Sequence, residues 1–372
     1  MAEKIPLSRV YQSELIDRRI LEVVKGGNYI LGPESKAFEQ ELAGYFGVKH
    51  VVLSSSWTAA VHLLHIAQTM TGKLKAGDEI LVPSLTAFPS IEPMIHAGAK
   101  PVFCDIDDTY TIDPEDAKKK ITNKTVGILP VHLYGRPANI DAFKKIAADH
   151  KLWIIEDCAQ SHGAKWKGKR AGSYTEHAAF SFYPSKNLTV YGDGGAIATS
   201  DPEIARLVTM LRNHGRKDKY LHEKVGFNLR FNEIQAAVGR EQLKVLDELN
   251  AGRRRAADWY RRALSGSKGV VLPPEDKTGE TESVYHMFVI RLESNDIREG
   301  LAKALKEQGI ETGVHYPVPN HMQPAIEERF GKQPTLPRTE DYVKKILSLP
   351  MYPALSEDQV RRVVDAIKKY VK

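Results

Sequence analysis

The chain has 372 residues, 42% of them hydrophobic and 27% charged, enough apolar material for a sizeable core and two domains. No run approaches the roughly 18 apolar residues of a membrane span, and Met1-Ala2-Glu3-Lys4-Ile5-Pro6-Leu7 has no signal-peptide core, so no membrane and a cytoplasmic location are expected. The formal charge of +6 is mild, and Lys118–Lys120 and Arg253–Arg255 are short helix-face runs rather than a nucleic-acid stripe, so a small phosphorylated ligand suits the field better than nucleic acid.

Spacing predicts a helix over 11–24, ended by Gly26-Gly27, a loop over 28–33 and a second helix over 37–46 stopped by Gly47. An alternation follows. Strands are expected at 51–53, 79–82, 101–104, 126–133, 152–156, 178–182 and 196–199, and helices at 58–70, 91–97 and 140–150. Apolar strands alternating with amphipathic helices make an α/β fold, a mostly parallel sheet flanked by helices. A helical stripe over 204–211 and a long helical stretch over 232–264 come next, the latter with an expected break near Asn250-Ala251-Gly252. The stretch 266–283 reads as an exposed loop, 284–292 as a strand, 297–305 as a helix and 360–371 as a terminal helix. A large domain over 1–250 and a smaller C-terminal α/β domain over 251–372 are therefore expected.

Four stretches that can carry chemistry fall just after strands, the edge where open α/β sheets bind ligands. Ser54-Ser55-Ser56-Trp57-Thr58 opens a helix with hydroxyls and free N–H groups, an anion site. Asp157 ends the apolar run Trp153-Ile154-Ile155, where a carboxylate needs a cationic partner, and Gln160 and His162 follow it. Lys186 stands on a turn beyond the strand that ends at Phe182, after Ser181 and Pro184 and before Gly192–Gly195, placed to form a Schiff base with a carbonyl compound. Asn228 and Arg230 precede the N-cap Asn232 and suit phosphate or carboxylate. Cys104 and Cys158 form neither a disulfide framework nor a metal cluster, so no metal is expected.

Glu156-Asp157-Cys158-Ala159-Gln160 and Phe180-Ser181-Phe182-Tyr183-Pro184-Ser185-Lys186-Asn187-Leu188, in that order, carry a resemblance. With Gly32-Pro33-Glu34, Pro130-Val131-His132-Leu133-Tyr134-Gly135, Gly192–Gly195, Asn228–Ala237, His315-Tyr316-Pro317 and Leu349-Pro350-Met351-Tyr352-Pro353, they extend it over nearly the whole chain. The chain resembles the DegT/DnrJ/StrS family of pyridoxal-phosphate-dependent sugar aminotransferases. The resemblance implies a type I aminotransferase-like fold, pyridoxal 5′-phosphate (PLP, or its amine form PMP) as cofactor, and a homodimer with shared active sites. By position it makes Lys186 the lysine bonded to the cofactor and Asp157 the partner of its ring nitrogen. Gln160 then lies by the ring hydroxyl, Ser56, Trp57, Thr58 and Ser181 by the phosphate, and Asn228 reaches the phosphate from the other subunit. Phe88 is the candidate for stacking on the ring, because Ala87 stands where the family places an aromatic. Trp57 stands where the family usually has glycine. Tyr29, His162, Tyr183, Arg230, His315 and Tyr316 are the substrate-side candidates.

The implied activity moves an amino group from an amino acid, glutamate in first place, to a keto group of a nucleotide-linked sugar in two half-reactions. The His315-Tyr316-Pro317-Val318-Pro319-Asn320-His321 segment resembles versions in family members that act on 3-keto sugars, so the resemblance implies a 3-keto ahead of a 4-keto sugar. A keto-inositol substrate, a non-catalytic regulator that binds the cofactor or a nucleotide sugar, and a nucleic-acid binder are the rival readings.

Overall fold

The computed structural model describes residues 3–275 and 278–371; expectations for positions 1, 2, 276, 277 and 372 lie outside them. A seven-stranded sheet forms the centre: β1 (His50–Ser54), β2 (Glu79–Pro83), β3 (Lys100–Cys104), β4 (Thr125–Ile128), β5 (Trp153–Asp157), β6 (His177–Ser181) and β7 (Gly195–Thr199). Their spatial order is β1-β7-β6-β5-β4-β2-β3. The run from β6 to β3 is parallel, while β7 lies antiparallel between β1 and β6. Every residue of β2, β6 and β7 is buried, the pattern of strands covered on both faces.

Helices α1 (Glu14–Gly26), α2 (Pro33–Phe46), α3 (Trp57–Met70), α4 (Ile140–His150), α5 (Pro202–Leu211), α6 (Glu233–Leu264) and α7 (Glu357–Tyr370) answer expected helices, and Asn295–Glu307 answers the one expected over 297–305. The α1 helix begins later than its apolar periodicity, because Ser13 caps it by accepting from Ile16 N–H, and ends at Gly27 in the left-handed region. A second sheet joins β8 (Val270–Val271), β9 (Phe288–Leu292) and β10 (Ile346–Leu349). It shares an apolar cluster with Tyr260, Leu264, Leu301, Leu305, Val363 and Ile367. Ile5 is buried in the same cluster and pairs with Ile310, so the chain's beginning packs with its C-terminal third.

Several expectations are corrected. The α6 helix runs unbroken through Asn250-Ala251-Gly252. Gly252 is small because a Cβ there would come 2.5 Å from Pro353 O, and Asn250 is buried for its hydrogen bonds, so neither residue marks a helix end. The strand expected over 126–133 stops at Ile128, since Pro130 has no N–H for a ladder, and 133–135 forms a 3-10 turn. The helix expected over 91–97 is a 3-10 turn at Phe88–Ser90 followed by a short helix at Glu92–His96. Within 266–283, Val270–Val271 and Thr281–Glu282 pair as short strands. Only Phe288–Leu292 of the run 284–292 is strand, because Val284 N–H is already bonded to Gly135 O. Helices Pro324–Phe330 and Pro337–Lys345 and strand β10 had no sequence expectation.

One long-range contact explains Gly32-Pro33-Glu34. Glu233, fully buried, accepts from Glu34 N–H (2.7 Å), Ser35 N–H (3.0 Å) and the Ser35 hydroxyl, so a carboxylate from α6 caps the positive end of α2. A side chain on Gly32 would meet that carboxylate at 2.7 Å.

Candidate active site

The register of the sheet puts Ser54, Gly195 and Ser181 side by side, at the edge where β5 ends in Asp157. The N-terminus of α3 closes onto this edge. A Cβ on Gly195 would lie 2.5 Å from Trp57 N, so only glycine lets the Ser56–Trp57 peptide approach. Between these elements is a cavity of about 380 Å³ lined by Ser56, Trp57, Thr58, Asp157, Gln160, Ser181, Tyr183, Lys186, His315 and Tyr316 among others.

Lys186 follows the turn closed by its N–H to Tyr183 O (2.8 Å). Burial lowers its amine to about 8, opposed by the nearby Asp157 charge. Asp157 is 2% exposed; Oδ1 accepts from Ala159 N–H (3.0 Å) and Oδ2 from the Ser90 hydroxyl (2.8 Å). Burial raises its carboxyl above the usual range, against the pull of those two donors and of Lys186. The neighbouring Glu156 does different work. It is fully buried and accepts from Gly172, Tyr174 and Thr175 N–H groups, the Thr175 hydroxyl and His132 Nε2–H, which fixes the loop behind the site. His132 Nδ1 accepts from Ala138 N–H (3.0 Å), so its proton sits on Nε2. Cys158 Sγ lies within 4.8 Å of ligand atoms of this pair, yet the imidazole and carboxylate are already satisfied by protein donors and acceptors.

Gln160 is committed at both ends: Oε1 accepts from Tyr134 N–H (2.7 Å) and Nε2 donates to Tyr316 Oη (3.3 Å). Tyr134 Oη in turn donates to His315 O, and His315 Nδ1 bonds the Ser348 hydroxyl (2.9 Å). Ser84 and Thr86 also tie down the 315–322 segment through His321 and Asn320. Ser56 caps α3 by accepting from Ala59 N–H, and the Trp57 indole packs on Val61 and Ala179 rather than standing across the cavity.

Five expected residues lie off the cavity wall. Phe88, partly buried at the start of a 3-10 turn, packs against the apolar cluster that holds Ile91 and Met94. His162 is fully buried among Phe180 and Phe182. Tyr29 is half exposed and donates to Val24 O. Asn228 bridges to Asn213, and Arg230 is half-buried on the same loop. Ser90, His286 and Met287 were missed. Ser90 is one hydroxyl in a polar loop, while the lone imidazole within 284–292 was the available sign of His286.

The residues fit PLP. A buried carboxylate whose charged neighbour is an amine accepts a protonated ring nitrogen, and the hydroxyls and free N–H groups at α3 suit a phosphate. Comparison with known proteins agrees. Over 355 residues the chain is 42% identical to the dTDP-3-amino-3,4,6-trideoxy-alpha-D-glucose transaminase of Streptomyces venezuelae, covering 95% of this chain and 91% of that one. The crystal structure of S. venezuelae DesV in complex with a ketimine intermediate superposes with a TM-score of 0.92 at 40% identity, covering 100% and 99% of the two chains. Bacillus subtilis NtdA with bound cofactor PMP superposes at 0.87 with 31% identity, over 96% and 81%. The profile of the DegT/DnrJ/EryC1/StrS aminotransferases matches residues 11–368, and the chain belongs to that family.

Proposed function

We propose that this PLP-dependent aminotransferase takes an amino group from glutamate and delivers it to the 3-keto position of a nucleotide-linked sugar. The observation that carries the reading is Lys186 and Asp157 lining one cavity at the sheet edge. The bound cofactor supplies an aldehyde that exchanges amines and a ring that takes up the electron pair left by a departing α-proton. Lys186 would hold the cofactor through its amine, and the same amine would carry the proton away from the donor's α-carbon. Asp157 holds a proton on the ring nitrogen, and the Ala159 N–H and Ser90 hydroxyl keep its carboxylate aimed. Thr58, Ser56, Ser181 and the first turn of α3 bind the phosphate, while Tyr183, His315 and Tyr316 flank the acceptor. The 3-keto assignment rests on the 315–321 segment and on the named 3-amino product of the S. venezuelae relative.

A homodimer is part of this proposal. Leu21, Val24, Tyr29, Tyr220 and Val225 are exposed apolar side chains, Val225 at 92%, and Asn228 lies beyond its own chain's cavity wall, as a residue serving the partner's site would. The test is spectroscopic. Purified protein should show a visible absorption band that glutamate bleaches, and Lys186→Ala should lose the response. Wild-type protein that takes up no PLP would overturn the assignment. Offering 3-keto and 4-keto nucleotide sugars to the aminated enzyme then decides the position by which one restores the band.

A further inference from the structure

Next to Lys186 a buried chain of amides fixes the protonation of a histidine that the mechanism above does not use. Asn250 Nδ2 donates to His162 O (2.8 Å), a carbonyl that can only accept, so Asn250 Oδ1 faces Asn187. Asn187 Nδ2 donates to that oxygen (2.8 Å) and to Val284 O (3.0 Å), which uses both of its hydrogens. Asn187 Oδ1 is therefore an acceptor, and the group 3.1 Å from it is His286 Nδ1, which must carry the proton. Two backbone carbonyls thus set the tautomer of His286. Its Nε2 is left as a bare acceptor, closed off from solvent and, among the described residues, without a partner. His286 is 4% exposed and forms part of the cavity wall with Lys186.

An unpartnered buried acceptor costs stability unless some state of the protein fills it. The Lys186 amine is a donor that lines the same cavity, and its charge acts on His286. We propose that a change of side-chain rotamer lets the free Lys186 amine donate an N–H to His286 Nε2, making His286 a positioning residue for the proton-carrying group. Burial holds the imidazole far below its usual pKa, so it steers the amine without competing for the proton. Arg253 supports the arrangement by donating to the backbone oxygens of Tyr285 (3.3 Å), His286 (3.3 Å) and Met351 (3.1 Å).

Two variants separate this role from a structural one, and the inference rests on the reading of Lys186 given above. In His286→Asn the side-chain amide replaces Nδ1 and keeps the bond to Asn187; in His286→Gln the amide oxygen reaches the place of Nε2. The readout is the rate at which cofactor-free protein takes up PLP, measured as band formation against pH. An acceptor favours the ammonium form, so His286→Asn should move the midpoint to lower pH, whereas His286→Gln should keep it. Asp157, His162, His315 and Tyr316, the other titratable groups around the amine, are untouched in both variants. Bleaching by glutamate should slow about tenfold in His286→Asn, the scale of one hydrogen bond to a charged group, and far less in His286→Gln. Equal midpoints in wild type and both variants, or equal shifts in both, would overturn the assignment. If Lys186→Ala still forms the band, the reading of Lys186 fails instead.

Discussion

Burial moves the Asp157 carboxyl up and the Lys186 amine down, and the opposite charge of each restrains the other's shift. The sign for Lys186 is direct. Its amine is lowered to about 8, so the nucleophilic form accumulates as pH rises and is nearly complete above that value. Cofactor uptake by the cofactor-free protein should climb about tenfold per pH unit below pH 8 and flatten above it, where an ordinary lysine would keep climbing toward pH 10.5. Stopped-flow absorbance across pH 6–10 checks this, and a rise continuing past pH 9 would refute it. Asp157→Asn keeps the shape and the Ala159 contact but removes the charge that holds the ring proton. Its glutamate half-reaction should slow on the order of 10²- to 10³-fold while cofactor stays bound. In the sequence Asp157 stands out because a carboxylate ending an apolar strand is costly to bury without a partner, whereas Lys186 stands out through the motif around it, since a lysine on a turn is ordinarily solvated. Phe88 and His162 were misplaced because an aromatic or an imidazole is equally at home in a core, and only packing decides which way it turns.

At the level of elements, the site depends on how closely α3 and α2 approach their neighbours. Gly195→Ala forces the Ser56–Trp57 peptide away from β7 and should weaken PLP retention about tenfold or more, with the far-UV spectrum unchanged; equilibrium dialysis measures it. Glu233→Ala strips the cap from α2 and leaves the Ser35 N–H and hydroxyl buried without their acceptor. A loss of about 2–3 kcal/mol is expected, seen as a Tm several degrees lower, with Glu233→Gln between it and wild type. Most of the helices and strands of the large sheet were legible from periodicity and caps. The α6 helix was legible over 232–264 except for its continuity, because Asn250-Ala251-Gly252 looks like a stop and is a packing surface: Asn250 serves Asn187 and His162, and Gly252 admits Pro353.

For the whole molecule, the exposed apolar residues of α1 and of the 220–225 loop should be covered in a dimer. Light scattering should give twice the chain mass, and Val225→Glu with Leu21→Glu should shift it toward the monomer; a monomeric wild type would remove the shared-site proposal. Among the described residues no helix is long and apolar enough to cross a membrane. The linear sequence determined the α/β class and most of the strands and helices of the large sheet, since these follow from local periodicity, and it marked Asp157 as a charge that burial does not leave idle. Tertiary structure alone decided the rest. The antiparallel insertion of β7, the packing of Ile5 with the C-terminal cluster and the capping of α2 by Glu233 join residues far apart in sequence. So does the tautomer of His286, which two distant carbonyls set through Asn250 and Asn187. Hydrogen-bond partners of buried polar groups are chosen by proximity in space, and residue spacing along the chain carries no record of that choice.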